Sequence, residues 1–302
     1  MEAIMAKKFY GVVPPIVTPI DENEKVDEKA LRTLIRHCIE VGIPGIFVCG
    51  SNGECMALTQ AERDRAIAIT LDECGDEVPV MAGVMDSSTI RVIENVKRLE
   101  QMGGTTAVVT PVFYARHATQ NETVIHFEEI SKNTEADLFI YNIPTFTGQR
   151  LTADTIIELS KIDKVIGVKD TAGVFPEFVK MLRYFKDSDF MVFQGATNLA
   201  GPSVLLGADG YVPSLAPLFP KPHLALYEAA KKGDIEGVKY WSEIVDGVCK
   251  LYGLCKSQTT STKYGMSKLG FMRPDPLRPT EPITAAEMKA IDEFVEKNKE
   301  WM

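Results

Sequence analysis

The sequence has few of the residues and motifs that mark secreted, metal-binding or nucleotide-binding proteins. Its 302 residues include six cysteines and four histidines, with no CxxC, HxH or HExxH spacing, so no zinc site or disulfide framework is indicated. The GxGxxG, P-loop and GxSxG signatures are also absent, and we expect no metal, nucleotide or serine chemistry. Acidic residues outnumber basic ones, 42 to 33, and the net charge of −9 disfavours nucleic-acid binding.

Long hydrophobic runs are also missing. Met1–Tyr10 leads to Pro14 without the apolar segment of a signal peptide. The longest uncharged stretch, Phe190–Ala208, contains polar residues and the break Gly201-Pro202, so it is not a membrane span. We therefore expect a cytoplasmic protein that has no contact with membranes and whose cysteines are reduced, partly buried thiols.

Short apolar runs bounded by glycine or proline are the main positive signal. Apolar residues make up 45% and charged residues 25% of the chain, which is ordinary globular usage and enough for a full core. Continuous apolar runs of four to eight residues are typical of strands buried on both faces of a parallel sheet. The runs are Gly11–Pro19, Gly45–Gly50, Val78–Val84, Thr106–Pro111, Leu138–Pro144, Lys164–Asp170, Phe190–Gly195 and Gly210–Leu215.

Amphipathic stretches with helical spacing separate these runs. The alternation over about 220 residues predicts an α/β protein with a (β/α)₈ TIM barrel. A doubly wound open sheet is the alternative, and we disfavour it because no GxGxxG follows the first strand. The predicted helices of the barrel include Asp27–Val41, Thr59–Cys74, Ser88–Met102, Thr152–Leu159 and Pro176–Phe185.

The strands stop after about Leu218, and only helical patterns follow. We predict that residues 1–230 form the barrel and residues 231–302 a C-terminal helical appendage. The sequence leaves open whether this part packs on the barrel or serves as an interface element. The late helical patterns are Pro220–Lys232, Asp234–Leu251 and Thr284–Lys299.

Two segments at predicted strand ends carry candidate binding and catalytic groups, because TIM-barrel active sites lie at the C-terminal ends of strands. The second strand ends in Gly50-Ser51-Asn52-Gly53-Glu54. Its glycines suggest backbone N–H groups gathered around an anion, although an ordinary glycine-rich turn has the same pattern. The fifth strand ends in Tyr141. Its hydroxyl either exchanges protons in the barrel mouth or belongs to a core aromatic bonded to the backbone.

The sixth strand is the most informative. Val165–Val168 is wholly apolar and is followed by Lys169. A charged, unpaired lysine in a buried strand costs several kcal/mol, so burial favours the neutral amine, which attacks carbonyl groups to form a Schiff base. The alternative is a lysine that pairs with Asp170 or reaches solvent, and the residues alone leave both readings open.

Together these motifs resemble the dihydrodipicolinate synthase / N-acetylneuraminate lyase superfamily of pyruvate-dependent class I aldolases. The resemblance rests on Gly-Ser-Asn-Gly-Glu after the second strand, Tyr141-Asn142-Ile143-Pro144 and Gly167-Val168-Lys169-Asp170, and it extends from Gly11 to the Arg273-Pro274 region. It implies a TIM-barrel carbon–carbon lyase without an external cofactor, since pyruvate is held as a covalent lysine imine. It also implies pyruvate and an aldehyde as substrates, and a homotetramer built as a dimer of dimers.

The resemblance assigns roles to the candidate residues. Lys169 would form the Schiff base and Tyr141 would shuttle protons. Ser51 and Asn52 would hold the pyruvate carboxylate through their backbone N–H groups. The backbone at Gly195 and Val212 would line the pyruvate end of the site.

In many members of the superfamily a second aromatic residue crosses a dimer interface to assist the tyrosine. The corresponding segment here is Pro111-Val112-Phe113-Tyr114. Tyr114 is one candidate for this catalytic role. Phe113 is the other candidate. If Phe113 takes this position, the set of hydroxyls that passes protons with Tyr141 has one member fewer.

Departures from the family pattern narrow the range of possible substrates. In the synthase branch an arginine after the YNxP motif binds the carboxylate of the second substrate, but Phe146 stands there and cannot replace it. The sialic-acid lyase branch has acidic residues after the seventh strand, and Gln194–Asn198 contains none. Lys169-Asp170-Thr171 looks more like the 2-keto-3-deoxy sugar-acid aldolases. Substrate hydroxyls would be bound by Thr145, Thr171, Thr197 and Asn198.

We therefore predict cleavage of a 2-keto-3-deoxy sugar acid to pyruvate and an aldehyde. Phe146 adds an apolar wall to the site, so a less polar aldehyde is an alternative partner of pyruvate. The alternatives within the superfamily are an N-acetylneuraminate lyase-like enzyme, a 4-hydroxy-2-oxoacid aldolase, a dehydratase and dihydrodipicolinate synthase. The alternative outside enzymes is a binding protein: a barrel that has lost catalysis and binds a small molecule.

Overall fold

Eight parallel strands form one sheet in the computed structural model, which describes residues 7–302. Residues 1–6, the start of the segment in which we predict no signal peptide, lie outside the described residues. Each of the eight predicted apolar runs coincides with one strand, and only β5 begins outside its run, one residue earlier at Asp137. The strands are β1 Gly11–Val12, β2 Ile46–Val48, β3 Val80–Gly83, β4 Thr106–Val109, β5 Asp137–Asn142, β6 Val165–Asp170, β7 Met191–Gln194 and β8 Gly210–Tyr211.

The sheet curls until its two edges meet, consistent with the predicted TIM barrel. The order of hydrogen-bonded neighbours is β1-β8-β7-β6-β5-β4-β3-β2. The chain after β1 reaches β2 through two bonds, from the Ile16 N–H to the Phe47 carbonyl at 3.0 Å and from the Phe47 N–H to the Pro14 carbonyl at 3.1 Å. The predicted first strand is cut to two residues because Pro14 and Pro15 have no N–H to continue a ladder.

Twelve α-helices accompany the strands within the described residues, and every helix predicted from sequence has a counterpart. Asp27 caps α1 by accepting from the Ala30 N–H at 3.0 Å. The helices are α1 Glu28–Glu40, α2 Gln60–Cys74, α3 Thr89–Gln101, α4 Gln120–Asn133, α5 Pro144–Thr147, α6 Ala153–Leu159, α7 Phe175–Tyr184, α8 Ala200–Leu205, α9 Pro220–Lys231, α10 Ile235–Cys249, α11 Gln258–Ser267 and α12 Ala285–Lys297.

Helices α4 and α11 are absent from the sequence-based expectations. A capping box marks the start of α4, where Thr119 Oγ1 accepts from the Glu122 N–H at 3.3 Å and the Glu122 carboxylate accepts from the Thr119 N–H at 3.2 Å. In contrast, α11 buries threonines, serine and a lysine instead of an apolar stripe. Hydrophobic periodicity therefore could not have found it.

The helices that follow β8 share the core of the strands. Val245 of α10, Met266 of α11 and Ile291 of α12 belong to the same buried cluster as the strand residues. The division of the chain at residue 230 stays a prediction. Among residues 7–302, no helix combines the length and apolar character needed to cross a bilayer.

Candidate active site

The C-terminal ends of the strands open into a cavity of about 420 Å³. This is the end of the sheet at which the active sites of TIM barrels lie. All the site residues predicted from sequence line this cavity, except Tyr114. The residues that the structure brings together are Ser51, Asn52, Tyr141, Phe146, Lys169, Thr171, Gly195, Thr197, Asn198 and Val212.

Lys169 lies at the floor of the cavity, on β6, and is only 5% exposed. Its Nζ is 4.0 Å from the centroid of the Tyr141 ring and 5.2 Å from that of Phe47. Within the described residues, no carboxylate lies within ion-pair distance of this amine, and Asp170 accepts a hydrogen bond from Asn142 instead. The amine therefore faces aromatic rings and the cavity, where a carbonyl compound can reach it.

Tyr141 is placed beside the lysine by strand pairing. Residues Tyr141 of β5 and Lys169 of β6 are register partners, so their side chains stand next to each other on the cavity side. Tyr141 is 3% exposed and its ring meets the Phe47 ring edge-on, with 5.9 Å between centroids. The Lys169 amine and the Tyr141 ring therefore lie in contact at the cavity floor.

The loop after β2 forms a short 3₁₀ helix, Ser51–Gly53, at the cavity wall. The first N–H groups of such a helix, here those of Ser51 and Asn52, have no intrahelical acceptor. The Asn52 side chain donates to the Pro15 carbonyl at 2.7 Å, so its amide anchors the loop. Gly50 precedes the turn, and a Cβ there would lie 2.9 Å from the Phe47 ring. Within the described part of the chain neither of these N–H groups has an acceptor, so the turn presents two backbone donors to an anion.

A buried ion pair holds this loop from behind. Glu54, 7% exposed in its side chain, pairs with Lys263 of α11, whose side chain is fully buried. The other carboxylate oxygen of Glu54 accepts from the Leu277 N–H at 2.7 Å, and Lys263 also donates to the Asp275 carbonyl at 3.1 Å. Burial lowers the pKa of Lys263, which the nearby Glu54 carboxylate opposes. No local sequence pattern indicates this pair, because its two residues lie more than 200 positions apart in the chain.

The wall opposite the loop is shaped by Gly195 and Thr171. A Cβ on Gly195 would lie 2.1 Å from Thr171 Oγ1, so only glycine fits beside that hydroxyl. The Gly195 N–H donates to the Asp170 carbonyl at 2.7 Å and is not free for a ligand. The Thr171 hydroxyl is buried and has no hydrogen-bond partner among the described residues. It is therefore an unsatisfied polar group in the wall of the cavity.

Helix α10 and its continuation cover the cavity, a contribution that the sequence did not reveal. Asp246, Cys249 and Tyr252 recur every three residues and so present one face to the cavity. The Tyr252 hydroxyl lies 2.9 Å from Ser214 Oγ and ties this face to the loop after β8. Burial raises the pKa of Tyr252 and also raises that of Cys249, to about 12, so both stay protonated at neutral pH.

Tyr114 lies away from the cavity of its own chain. It is 99% exposed and has a φ of +69°, a left-handed backbone conformation that costs free energy for a residue other than glycine. Neighbouring Phe113 is half-buried and lines a second cavity that shares Phe146 and Ile143 with the first. Phe146 itself is 69% exposed, at the rim between the two cavities.

These features define a class of enzyme. A buried amine beside a tyrosine, across a cavity from free backbone N–H groups, is suited to hold an acid by its carboxylate and attack its carbonyl group. Such a site at the C-terminal ends of a parallel barrel sheet is that of a Schiff-base aldolase.

Comparisons with known proteins identify the family. The model of the Dihydrodipicolinate synthetase family matches residues 8–298, and the chain belongs to this family. A 4-hydroxy-tetrahydrodipicolinate synthase of Methanospirillum hungatei is 33% identical, over 76% of this chain and 78% of the relative. A DapA-like lyase of Halobacterium salinarum is also 33% identical, over 76% of this chain and 74% of the relative.

Solved structures agree with this assignment. Dihydrodipicolinate synthase of Bacteroides thetaiotaomicron is 28% identical, with a TM-score of 0.91 over 97% of this chain and 100% of that one. YagE of E. coli K12, solved with pyruvate, has the same fold, with a TM-score of 0.90 over 96% of this chain and 99% of that one, at 24% identity. Members of the family are pyruvate-dependent aldolases that use a lysine–pyruvate Schiff base and no external cofactor. The chain is accordingly a carbon–carbon lyase.

Proposed function

We propose that the protein cleaves a 2-keto-3-deoxy sugar acid to pyruvate and an uncharged hydroxyaldehyde, through an imine on Lys169. The observation that carries this proposal is the Lys169 amine, buried at the cavity floor 4.0 Å from the centroid of the Tyr141 ring and free of any ion pair among the described residues. The experiment that tests it is an assay of pyruvate release from such acids.

The proposed reaction starts when the neutral Lys169 amine attacks C2 of the substrate. The carbinolamine loses water and becomes a protonated imine, which draws electrons from the C3–C4 bond. That bond breaks as the C4 hydroxyl gives up its proton, through Tyr141, and the aldehyde leaves. The remaining enamine takes a proton at C3, and water then releases pyruvate and restores the amine.

The same cavity supplies a place for the carboxylate. The N–H groups of Ser51 and Asn52 would bind it, and the Thr171 hydroxyl would donate to a neighbouring oxygen. The backbone at Gly195 and Val212 would close the pyruvate end. Holding the carboxylate in this way would bring C2 to Lys169 in one orientation.

The lining of the cavity supports an uncharged aldehyde. Among the described residues around it, Lys169 is the one cation and Asp246 the one carboxylate. Phe146 offers no donor for a second carboxylate, whereas hydroxyls and amides to bind substrate hydroxyls are abundant. The polar residues at this end are Thr145, Thr197, Asn198, Ser214, Gln258 and Thr259.

The second candidate function is 4-hydroxy-tetrahydrodipicolinate synthesis, because a relative at 33% identity bears that name. Replacing Phe146 by arginine separates the two candidates. Under our proposal, Phe146→Arg raises kcat/KM for pyruvate with aspartate semialdehyde by about tenfold or more and lowers it for a neutral hydroxyaldehyde. Steady-state kinetics with both aldehydes measure this, with Phe146→Leu as the matched control that changes the ring without adding charge. A native enzyme that already prefers aspartate semialdehyde would contradict the sugar-acid proposal.

We further propose a homotetramer, a dimer of dimers, in which Tyr114 enters the site of a neighbouring subunit. Its full exposure and strained backbone support this, because strain of this kind is concentrated at functional positions. One solved structure of the same fold is described as a monomeric dihydrodipicolinate synthase variant. Related proposals are that the protein is cytoplasmic and that residues 231–302 form a helical appendage.

Subunit mixing tests the role of Tyr114. We expect Tyr114→Phe to lower turnover by about tenfold or more, since it removes one hydroxyl from the relay. A mixed assembly of Tyr114→Phe and Lys169→Ala subunits would contain sites with both native residues, so its activity should exceed that of either variant alone. Activity that does not rise on mixing, or a monomer by light scattering, would contradict the shared site. An unaltered Tyr114→Phe rate would assign the position to Phe113.

A further inference from the structure

Asn142 and Asp170 directly follow the two residues at the cavity floor. Asn142 follows Tyr141 on β5, Asp170 follows Lys169 on β6, and the two are register partners. Successive strand residues point to opposite faces, so this second pair lies on the face of the sheet away from the cavity. Both are buried, with 1% and 3% of their surface exposed.

Hydrogen bonds join this pair to each other and to the adjoining loops. Asn142 Nδ2 donates to Asp170 Oδ1 at 2.7 Å and to the Leu151 carbonyl at 3.1 Å, and Asn142 Oδ1 accepts from the Leu151 N–H at 3.0 Å. Asp170 Oδ1 also accepts from the Ala172 N–H at 3.2 Å. These two side chains therefore hold together the ends of β5 and β6 and the segment before α6.

A carboxylate in this place is costly to the fold. Burial raises the pKa of Asp170 to about 6, which the Ala172 N–H and Asn142 oppose. Arg150 also lowers the pKa and Glu177 of α7 raises it, but neither forms an ion pair with Asp170 within the described residues. A buried acid without a counter-ion destabilises the fold, so stability does not account for its presence.

We propose that Asn142 and Asp170 are positioning residues, a clamp that sets the Tyr141 hydroxyl against the Lys169 amine from the opposite face of the sheet. The proposal rests on the proposed function of that pair. Proton transfer depends steeply on geometry, and an error of about 1 Å in placing a reacting group costs on the order of 100-fold in rate. The clamp residues are adjacent to the reacting pair along β5 and β6, so their hydrogen bonds hold the backbone that carries Tyr141 and Lys169.

Exchange of the pyruvate methyl protons with deuterated water tests the clamp without knowledge of the aldehyde. We expect Asn142→Ala and Asp170→Ala to lower the maximal exchange rate by about 10- to 100-fold, with the pyruvate concentration at half-maximal rate changed by less than about threefold. Asp170→Asn should retain most of the native rate, because its amide oxygen accepts the same two hydrogen bonds.

A control variant separates positioning from general loss of stability. Asn95 of α3 is also buried and donates to the Val84 carbonyl at 3.2 Å and to Asp86 at 3.3 Å, outside the cavity. Asn95→Ala should lower the melting temperature as Asn142→Ala does, but leave the exchange rate unchanged.

Three results would overturn the clamp. These are native exchange rates in both alanine variants, a loss in Asn95→Ala as large as in Asn142→Ala, or a rate in Asp170→Asn as low as in Asp170→Ala. A native protein that shows neither proton exchange nor a borohydride-trapped pyruvate adduct would instead overturn the proposed function, and the clamp with it.

Discussion

Lys169→Ala is expected to lose turnover by on the order of 10⁴-fold or more, since no other amine among residues 7–302 lines the cavity to form the imine. The fold should survive, because the side chain faces the cavity and makes no ion pair among the described residues. Pyruvate release measures the loss, and thermal unfolding checks that the variant still folds.

Two further variants show whether the amine acts as a nucleophile. Lys169→Arg keeps the charge but cannot form an imine, so we expect it to be as inactive as the alanine variant. Tyr141→Phe should still form the pyruvate imine, with turnover lowered by about 10²- to 10⁴-fold through loss of the proton shuttle. Substantial turnover in Lys169→Arg would show that the charge of the lysine, and not its imine, supports the reaction.

Glu54→Ala is expected to have the largest effect on stability, lowering the free energy of unfolding by about 3–5 kcal/mol. The substitution leaves the fully buried Lys263 without its carboxylate partner and also removes the acceptor of the Leu277 N–H. Urea unfolding measures the change. Because Glu54 directly follows the turn that carries Ser51 and Asn52, the KM for pyruvate should rise as well.

An exposed pair provides the matched control. Glu236 and Lys239 of α10 lie 2.6 Å apart, with 82% and 65% of their side chains exposed. Glu236→Ala should change the free energy of unfolding by less than about 1 kcal/mol. The double variant Glu54→Gln/Lys263→Met should lose less stability than Glu54→Ala, because no buried charge stays unpaired. Equal effects of Glu54→Ala and Glu236→Ala would contradict the structural role of the buried pair.

Local sequence signals predicted the strands and the cavity floor. Lys169 was detectable because it ends an otherwise apolar run, and Tyr141 and Ser51 because they follow apolar runs at the same end of a parallel sheet. The order of these motifs also pointed to the family, which the comparisons confirm.

Residues that depend on tertiary contacts were not predictable in the same way. Lys263 lies in a helix whose buried face is polar, so nothing local distinguishes it from a surface lysine. Asp246 and Tyr252 reach the cavity only because α10 lies across the strand ends. Asn142 and Asp170 were part of the recognised motifs, but their mutual hydrogen bond depends on the register of β5 and β6.

Borohydride trapping with pyruvate, followed by intact mass and peptide mapping, tests directly whether Lys169 forms the imine. We predict one reduced three-carbon adduct per chain, on Lys169, and none in Lys169→Ala. An adduct on another lysine, or a folded protein that forms no adduct with pyruvate or with any other 2-oxo acid tried, would contradict it.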